Sequence, residues 1–376
     1  MARKKVLVVG MLDSIHLARW IKQFVGAEFD ILVFPSSYFK FMHPNIHEFK
    51  NSNIHIGGAA FLKSFLGYID SLVTFRFFGN QVGQFMRRFY LLLVVAIYRP
   101  DVIHAIEIQH AGYLVSSIKG TSQRRILTNW GSDIYFFQHH IGHQTRIRKA
   151  LGWATHYSAE CTRDYHLAKT FGFAGVELPK IPNAGGLVQN HLYNLPISNR
   201  SQLIVKCYGG TFGLGSMAIE VCEIFLSAQE NANIFLYSVT DDLLENLKQL
   251  MIRFPKRIRY STLSDPLSHD EILAEFGKSR VYLGMSRSDG LSTSFLESIA
   301  LGAYPIQTNT SCASEIIELG AIGSIVNPDI NEVVEILLRV FTDEILLAKS
   351  RENNLLLASQ IHDYSRISSI ANTYYE

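Results

Sequence analysis

Short apolar runs alternate with stretches whose apolar positions recur every three or four residues. Runs at 5–9 and 29–34 read as strands, the first closed by Gly10 and the second stopped by Pro35. Between them Ile15, Ala18, Ile21 and Val25 recur at helical spacing behind Asp13 or Ser14, either of which can cap a helix. Residues 80–98 read as a helix that Arg99-Pro100 ends. Strand 101–105, helix 111–119 and strands 125–128, 155–158 and 176–178 follow. Strands separated by helical stretches predict a parallel sheet with crossover helices.

Residues 182–196, from Pro182-Asn-Ala-Gly-Gly186 to Pro196, are rich in turn formers and mark a boundary. The alternation then restarts: strand 203–207, helix 216–229, strand 233–237, helix 241–253, strand 257–260, helix 269–277 and strand 281–284. Helix 293–301, strand 304–307 and helices from 331 onward complete it. The expected fold is α/β, two Rossmann-like domains facing across a cleft. The first spans 1–190 and the second 196–360, with a helix in 361–376 packing back on the first.

Composition changes this picture little. A chain of 376 residues with 48% hydrophobic and 18% charged residues is globular, and long enough for two cores. The four cysteines have no paired spacing, which argues for reduced thiols and against a zinc site or a disulfide framework. The basic N-terminus runs directly into the first strand, so it reads as a strand and not as a signal peptide. The apolar run 90–98 is far shorter than the roughly 20 residues that span a bilayer. Charge is more informative. Residues 1–190 carry 21 Lys and Arg against 11 Asp and Glu, and the remainder 14 against 22. An anionic partner is expected for the first half, and no nucleic acid.

Chemistry concentrates between 285 and 315. After the strand ending near Gly284 comes a polar loop, Ser286-Arg-Ser-Asp-Gly290, followed by Leu291. Ser292, Thr293 and Ser294 open a helix that Gly302 closes. Such a helix start offers free backbone N–H groups to an anion. Glu297 lies one turn beyond Thr293 on the same face. Asp289 and Glu297 can each accept hydrogen bonds from sugar hydroxyls; serines and aspartates also cap helices with no ligand present.

The turn Lys206-Cys-Tyr-Gly-Gly-Thr-Phe-Gly-Leu-Gly215 also links a strand to a helix, as suits a diphosphate. It is not a triphosphate P-loop, because no Lys precedes Ser216. Lys206, Gly209, Gly210, Gly213, Arg287, Gly290, Leu291, Ser292, Thr293 and Glu297 are therefore the candidates to hold a phosphorylated, hydroxyl-bearing ligand.

In the first half, Gly10 through His16 form the first strand-to-helix turn without a dinucleotide glycine pattern, so a nicotinamide dehydrogenase is not expected. Gly10, Asp13, Ser14 and His16 are candidate ligand contacts, or an ordinary cap beside a surface histidine. Asn129-Trp-Gly-Ser-Asp133 follows another strand. Trp130 can stack on a sugar face, and Asp133 either orients an acceptor hydroxyl or anchors the loop. His139, His140 and His143 have metal-like spacing but no acid nearby in sequence, and read as solvated side chains.

The stretch Ser-Asp-Gly…Leu-Glu…Gly-Ala-Tyr-Pro-Ile306, with Thr-Asn-Thr-Ser-Cys-Ala-Ser-Glu315 behind it, resembles the signature of family-4 glycosyltransferases of the GT-B type, in a polysaccharide-assembly branch. There two acids stand eight positions apart; here they are Asp289, where Glu is usual, and Glu297. Residues 129–133 resemble that family's His-Gly-Ser-Asp loop, with Trp130 in place of His. The resemblance implies that Asp289 holds the donor sugar and Glu297 the ribose, that the set from Lys206 to Glu297 binds the donor, and that Gly10, Asp13, Ser14, His16, Trp130 and Asp133 lie on the acceptor side. It also implies a retaining transfer, without metal or cofactor, from a nucleotide diphosphate-sugar to a glycan or lipid-diphosphate-linked acceptor. Relatives clamp the diphosphate with an Arg and a Lys; Leu214 stands where one would fall, leaving Lys206, Arg287 or backbone N–H groups to serve.

The alternatives are a nucleotide-sugar epimerase on the same fold and a catalytically inactive binding module. Residues 59–99 mix Lys63, Arg76, Arg87, Arg88 and Arg99 with many aromatics. They predict contact with anionic lipid through about 59–88, with 91–97 as core, and hence a cytoplasmic enzyme peripheral to the inner face of a membrane.

Overall fold

The computed structural model describes residues 3–39, 42–49, 52–57, 79–118, 123–188 and 195–376. The chain forms two compact units, Met1–Gly185 with Arg366–Glu376, and Gly186–Ser365. The crossing between them at Gly185 lies inside the turn-rich segment.

The first unit holds strands β1 (Lys4–Gly10), β2 (Phe29–Pro35), β3 (Ile54–Ile56), β4 (Val102–Ile106), β5 (Arg124–Thr128), β6 (His156–Ser158) and β7 (Val176–Glu177). They form a parallel sheet in the order β3-β2-β1-β4-β5-β6-β7. Its central strands are apolar on both faces because helices cover both sides. Ser14 caps the helix Ile15–Lys22, its Oγ accepting from the His16 amide at 3.2 Å.

The second unit repeats the plan with β8 (Gln202–Lys206), β9 (Asn233–Val239), β10 (Ile258–Thr262), β11 (Ser279–Gly284), β12 (Tyr304–Thr308) and β13 (Ser324–Val326), in the order β10-β9-β8-β11-β12-β13. In both units the chain starts in the middle of the sheet, runs outward to one edge, then returns and runs to the other. The reversal points are between β1 and β4 and between β8 and β11. Ligands of open α/β sheets bind outside the carboxyl ends of the strands at such a point.

The C-terminal helix Tyr364–Thr373 carries its last residues into the first unit. Tyr375 is fully buried there; its hydroxyl accepts from Trp20 Nε1 at 3.0 Å and pairs with His104 Nδ1 at 2.9 Å. Tyr374 Oη donates to the Pro179 carbonyl at 2.5 Å and meets Ser158 Oγ at 3.0 Å.

Of the elements the sequence reading named, three differ. The first helix ends at Lys22, so Val25 lies past it and is exposed. The helix expected over 111–119 is a π-helical turn, Ile108–Gly112, followed by one α-turn, Tyr113–Val115. Its start is set by Glu107, a non-glycine residue at φ 74° whose carboxylate accepts from the His110 and Ala111 amides at 2.7 and 2.6 Å. Third, the helix Gly79–Tyr98 buries Leu91 and Val95 but exposes Leu92, Leu93 and Ile97, so 91–97 is core on one side only. Of the lipid-contact segment, 58–78, with Lys63 and Arg76, lies outside the described residues. Among the described residues no helix is long and apolar enough to cross a membrane.

Candidate functional site

In the second unit β8 and β11 are neighbours, and Lys206 and Gly284 pair at their carboxyl ends. The loops leaving them are therefore side by side at the reversal point. They are tied together: Gly213 and Ser286 form an antiparallel bridge, and the Arg287 amide donates to the Phe212 carbonyl at 2.7 Å. Glycines let the loop after β8 fold tightly on itself and against Asp242. A Cβ on Gly213 would overlap the Tyr208 carbonyl, one on Gly209 would overlap the Asp242 carboxylate, and Gly210 sits at φ 71°.

Each loop leads into a helix. Gly215–Ala228 starts after Leu214 and Thr293–Ala300 after Ser292, and neither N-cap residue closes its helix with a side-chain hydrogen bond. The Gly215 amide donates to the Tyr208 carbonyl at 2.9 Å; the N-cap side chains leave the other first-turn amides uncapped, and the helix dipole leaves both starts partly positive. Helix Thr293–Ala300 ends as its sequence requires: Gly302 lies at φ 71° and the Ala303 amide donates to the Ser298 carbonyl at 2.9 Å.

Around these helix starts stand the sequence candidates. Lys206 Nζ lies 5.2 Å from the centre of the Tyr208 ring, and Arg287 is exposed. Asp289 is half-buried; its Oδ1 accepts from the Gly290 amide at 2.9 Å, and its own amide donates to the Thr310 carbonyl at 3.2 Å. The Gly290 carbonyl accepts from the Cys312 amide at 2.9 Å, which locks the loop to the segment after β12. Glu297 is 5% exposed and its Oε1 meets His269 Nε2 at 2.7 Å. Both acids act on Tyr282, near the end of β11: burial, chiefly, and the two carboxylates hold its phenol well above the ordinary range. The pair eight positions apart in sequence therefore shares one neighbourhood.

Some candidates have other partners. The Gly209 amide donates to Thr240 Oγ1 at 2.9 Å. Leu291 is buried in one core of the unit, and Leu214 packs partly buried against another. His269 was missed by sequence reasoning. A capping box, Ser268 with Glu271, fixes the start of its helix, His269–Lys278, and so aims the imidazole at Glu297. The Ser-x-x-Glu pattern was legible; its use to position a residue 28 places away was not.

In the first unit the rings of His16 and Trp130 lie 5.1 Å apart, bringing two acceptor-side candidates together. Gly10 approaches Leu17, which a Cβ would crowd. Asp13 is partly exposed in the same turn. Asp133 is buried, accepting from the Trp130 amide at 2.9 Å and the Ile108 amide at 3.0 Å. Burial and the Glu107 carboxylate push its acid up to about 8, against the pull of those two amides. Its carboxylate joins the loops after β4 and β5. Of the three closely spaced histidines, His143 pairs with the Tyr113 hydroxyl at 3.0 Å.

No protein-family model matches the sequence, and no curated protein matches it. Solved structures do. Anabaena HepE in complex with UDP-glucose aligns with TM-score 0.68 over 98% of this chain and 98% of its own, at 14% identity. The sucrose-phosphate synthase of Thermosynechococcus elongatus gives 0.71 over 99% and 98%, at 12% identity. The α,α-trehalose 6-phosphate synthase of Burkholderia multivorans gives 0.70 over 100% and 98%, at 12% identity. This is the GT-B fold. In GT-B terms the Gly186–Ser365 unit, with its paired loops and acids, is the second Rossmann-like unit, and the unit carrying His16 and Trp130 is the first.

Proposed function

We propose that the chain is a retaining, metal-independent glycosyltransferase that moves a sugar from a nucleoside diphosphate sugar to a glycan or lipid-linked acceptor in surface polysaccharide assembly. The observation that carries this reading is the meeting of two helix starts, Asp289 and Glu297 at the reversal point of the second sheet. The diphosphate is held by the amides opening Gly215–Ala228 and Thr293–Ala300, with Lys206 and Arg287 as its cations. Glu297, steadied by His269, accepts from the ribose hydroxyls, and Asp289 accepts from the sugar. In the transfer the bond from the anomeric carbon to the diphosphate oxygen breaks as the bond to the acceptor oxygen forms on the same face. The acceptor proton passes to the departing diphosphate, so neither carboxylate bonds to the sugar. The protein contributes charge stabilisation and positioning. His16, Trp130 and Asp13 belong to the acceptor side. The enzyme works in the cytoplasm, at the inner face of a membrane. Complexes of the fold neighbour HepE with UDP and UDP-glucose agree with such a donor.

The Gly209 amide taken by Thr240, and the apolar Leu214 at a helix start, favour a second reading, a module that binds the nucleotide sugar without turnover. Turnover of labelled UDP-sugars, alone and with acceptor panels, separates the two. Transfer that is lost in both Asp289→Ala and Glu297→Ala, with the fold intact, supports the transferase. Saturable binding with no product supports the module. Free sugar or an epimer formed without acceptor supports an epimerase.

A further inference from the structure

The first unit contains a cavity of about 450 Å³ that the residues discussed above do not explain. Ser36, directly after β2, and Gln109 and His110, directly after β4, line it, so it opens at the carboxyl edge of the sheet. Arg87 and Arg88 enter from the helix Gly79–Tyr98, and Arg146 and Lys149 from the helix Ile141–Trp153. Among the described residues no Asp or Glu lines it. The acid nearest to hand is Glu107, and it is committed: it accepts from two backbone amides and lies 3.4 Å from His110 Nδ1. Arg146 is held over the Tyr113 ring at 3.9 Å, and Arg88, Arg146 and Lys149 are exposed. Four cations converging on a polar hollow repel one another. An anion with several oxygens relieves that repulsion and meets their hydrogen-bonding geometry.

A second observation concerns the same helix. Phe85, at the cavity wall, is 66% exposed, Phe89 58% and Ile97 73%; Leu92, Leu93 and Ala96 are exposed with them. Their spacing puts all six on one face, opposite the buried Leu91 and Val95. An apolar stripe thus runs away from a cationic hollow, with exposed Arg88 and Arg99 beside it. We infer that this unit binds an amphiphile bearing a phosphate or diphosphate, its phosphoryl head in the cavity among Arg87, Arg88, Arg146 and Lys149 and its hydrocarbon chain along Phe85, Phe89, Leu93 and Ile97. This deepens the transferase reading, and its meaning as an acceptor site rests on that reading; the binding itself does not.

The test is titration of the full chain with three probes: farnesyl diphosphate, inorganic pyrophosphate and farnesol. Farnesyl diphosphate binds more than about tenfold tighter than pyrophosphate, because the chain adds apolar burial, and farnesol alone binds weakly. Arg88→Glu with Lys149→Glu removes binding of both phosphates. Phe85→Ser with Phe89→Ser brings farnesyl diphosphate down to the level of pyrophosphate and leaves pyrophosphate unchanged. All four positions are solvent-exposed, so circular dichroism matches wild type. Equal affinity for farnesyl diphosphate and pyrophosphate in the wild type overturns the assignment of the stripe. Binding that survives the charge reversal overturns the assignment of the cavity. Vesicles of anionic phospholipid that bind while farnesyl diphosphate does not also overturn it, in favour of a general membrane contact. UDP-glucose binding is measured on the same variants. Its absence throughout contradicts the transferase reading and leaves the phosphoryl site standing, whereas loss of farnesyl diphosphate binding alone does the reverse.

Discussion

His269 Nε2 lies 2.7 Å from Glu297 Oε1, joining the start of one helix to the middle of another. Glu297 is nearly buried, and a buried carboxylate without a partner is costly. The histidine therefore fixes how the carboxylate is turned. Replacing His269 with Ala is expected to weaken nucleotide-sugar binding about tenfold or more, the worth of one hydrogen bond to a charged group. A double-mutant cycle with Glu297→Gln checks it. Additive losses would show that the two side chains do not act together.

The glycine turn gives a contrast within one loop. A Cβ at position 213 meets backbone, whereas position 210 is open and constrained only by its positive φ. Gly210→Ala is expected to cost about 1–2 kcal/mol. Gly213→Ala should cost more and also lower donor affinity, since it drives the loop after β8 off its own Tyr208 and Gly209 carbonyls. Denaturant unfolding and UDP-glucose titration of both variants check this. Equal behaviour would mean the close approach at Gly213 is not needed.

Burial holds His104 down at about 3, between Tyr375 and the Thr128 hydroxyl at 2.7 Å from its Nε2. The unfolded chain takes up this proton near pH 6.5 and the folded chain only near pH 3, so U binds more protons across that window. Stability is fully present above pH 6.5 and falls as the solution is acidified towards pH 3, by up to about 1.4 kcal/mol per pH unit from this group. His104→Gln is expected to be less stable at pH 7, with a shallower decline from pH 6.5 to 4. An unchanged slope would place the acid sensitivity elsewhere.

Chelation is expected to leave donor binding and turnover unchanged, since the amides of two helix starts with Lys206 and Arg287 supply the positive charge. Activity after dialysis against EDTA, with and without added magnesium or manganese, is the check. A strict requirement for either ion would contradict the proposed mechanism.

The central strands of both sheets were legible because they are apolar runs between turn formers, as strands buried on both faces are; the short edge strands β3 and β13 were not. Asp289 and Glu297 stood out because two acids eight positions apart, one before a helix and one a turn inside it, resemble a known signature. The helices Ile141–Trp153 and Thr162–Thr170 were not legible. Ile147, Ala150, Leu151 and Trp153 are the buried positions of the first, and polar and basic residues dominate the rest of it. The π-turn after β4 depends on Glu107 bonding back to two amides, a tertiary choice that no periodicity announces. The cationic cavity draws its side chains from two helices and two strand ends. The charge excess of residues 1–190, and Arg87 and Arg88 among aromatics, hinted at it.

Calorimetric titration with UDP-glucose and other nucleoside diphosphate sugars, on wild type and on Asp289→Ala and Glu297→Ala, tests the assignment of the second unit most directly. Saturable one-to-one binding of at least one donor by the wild type is expected. Each substitution should weaken it about tenfold or more, while leaving stability within about 0.5–2 kcal/mol of the parent. Absence of binding across the panel, or full-strength binding by both variants, would contradict the reading of this helix-start pair and its two acids as a donor site.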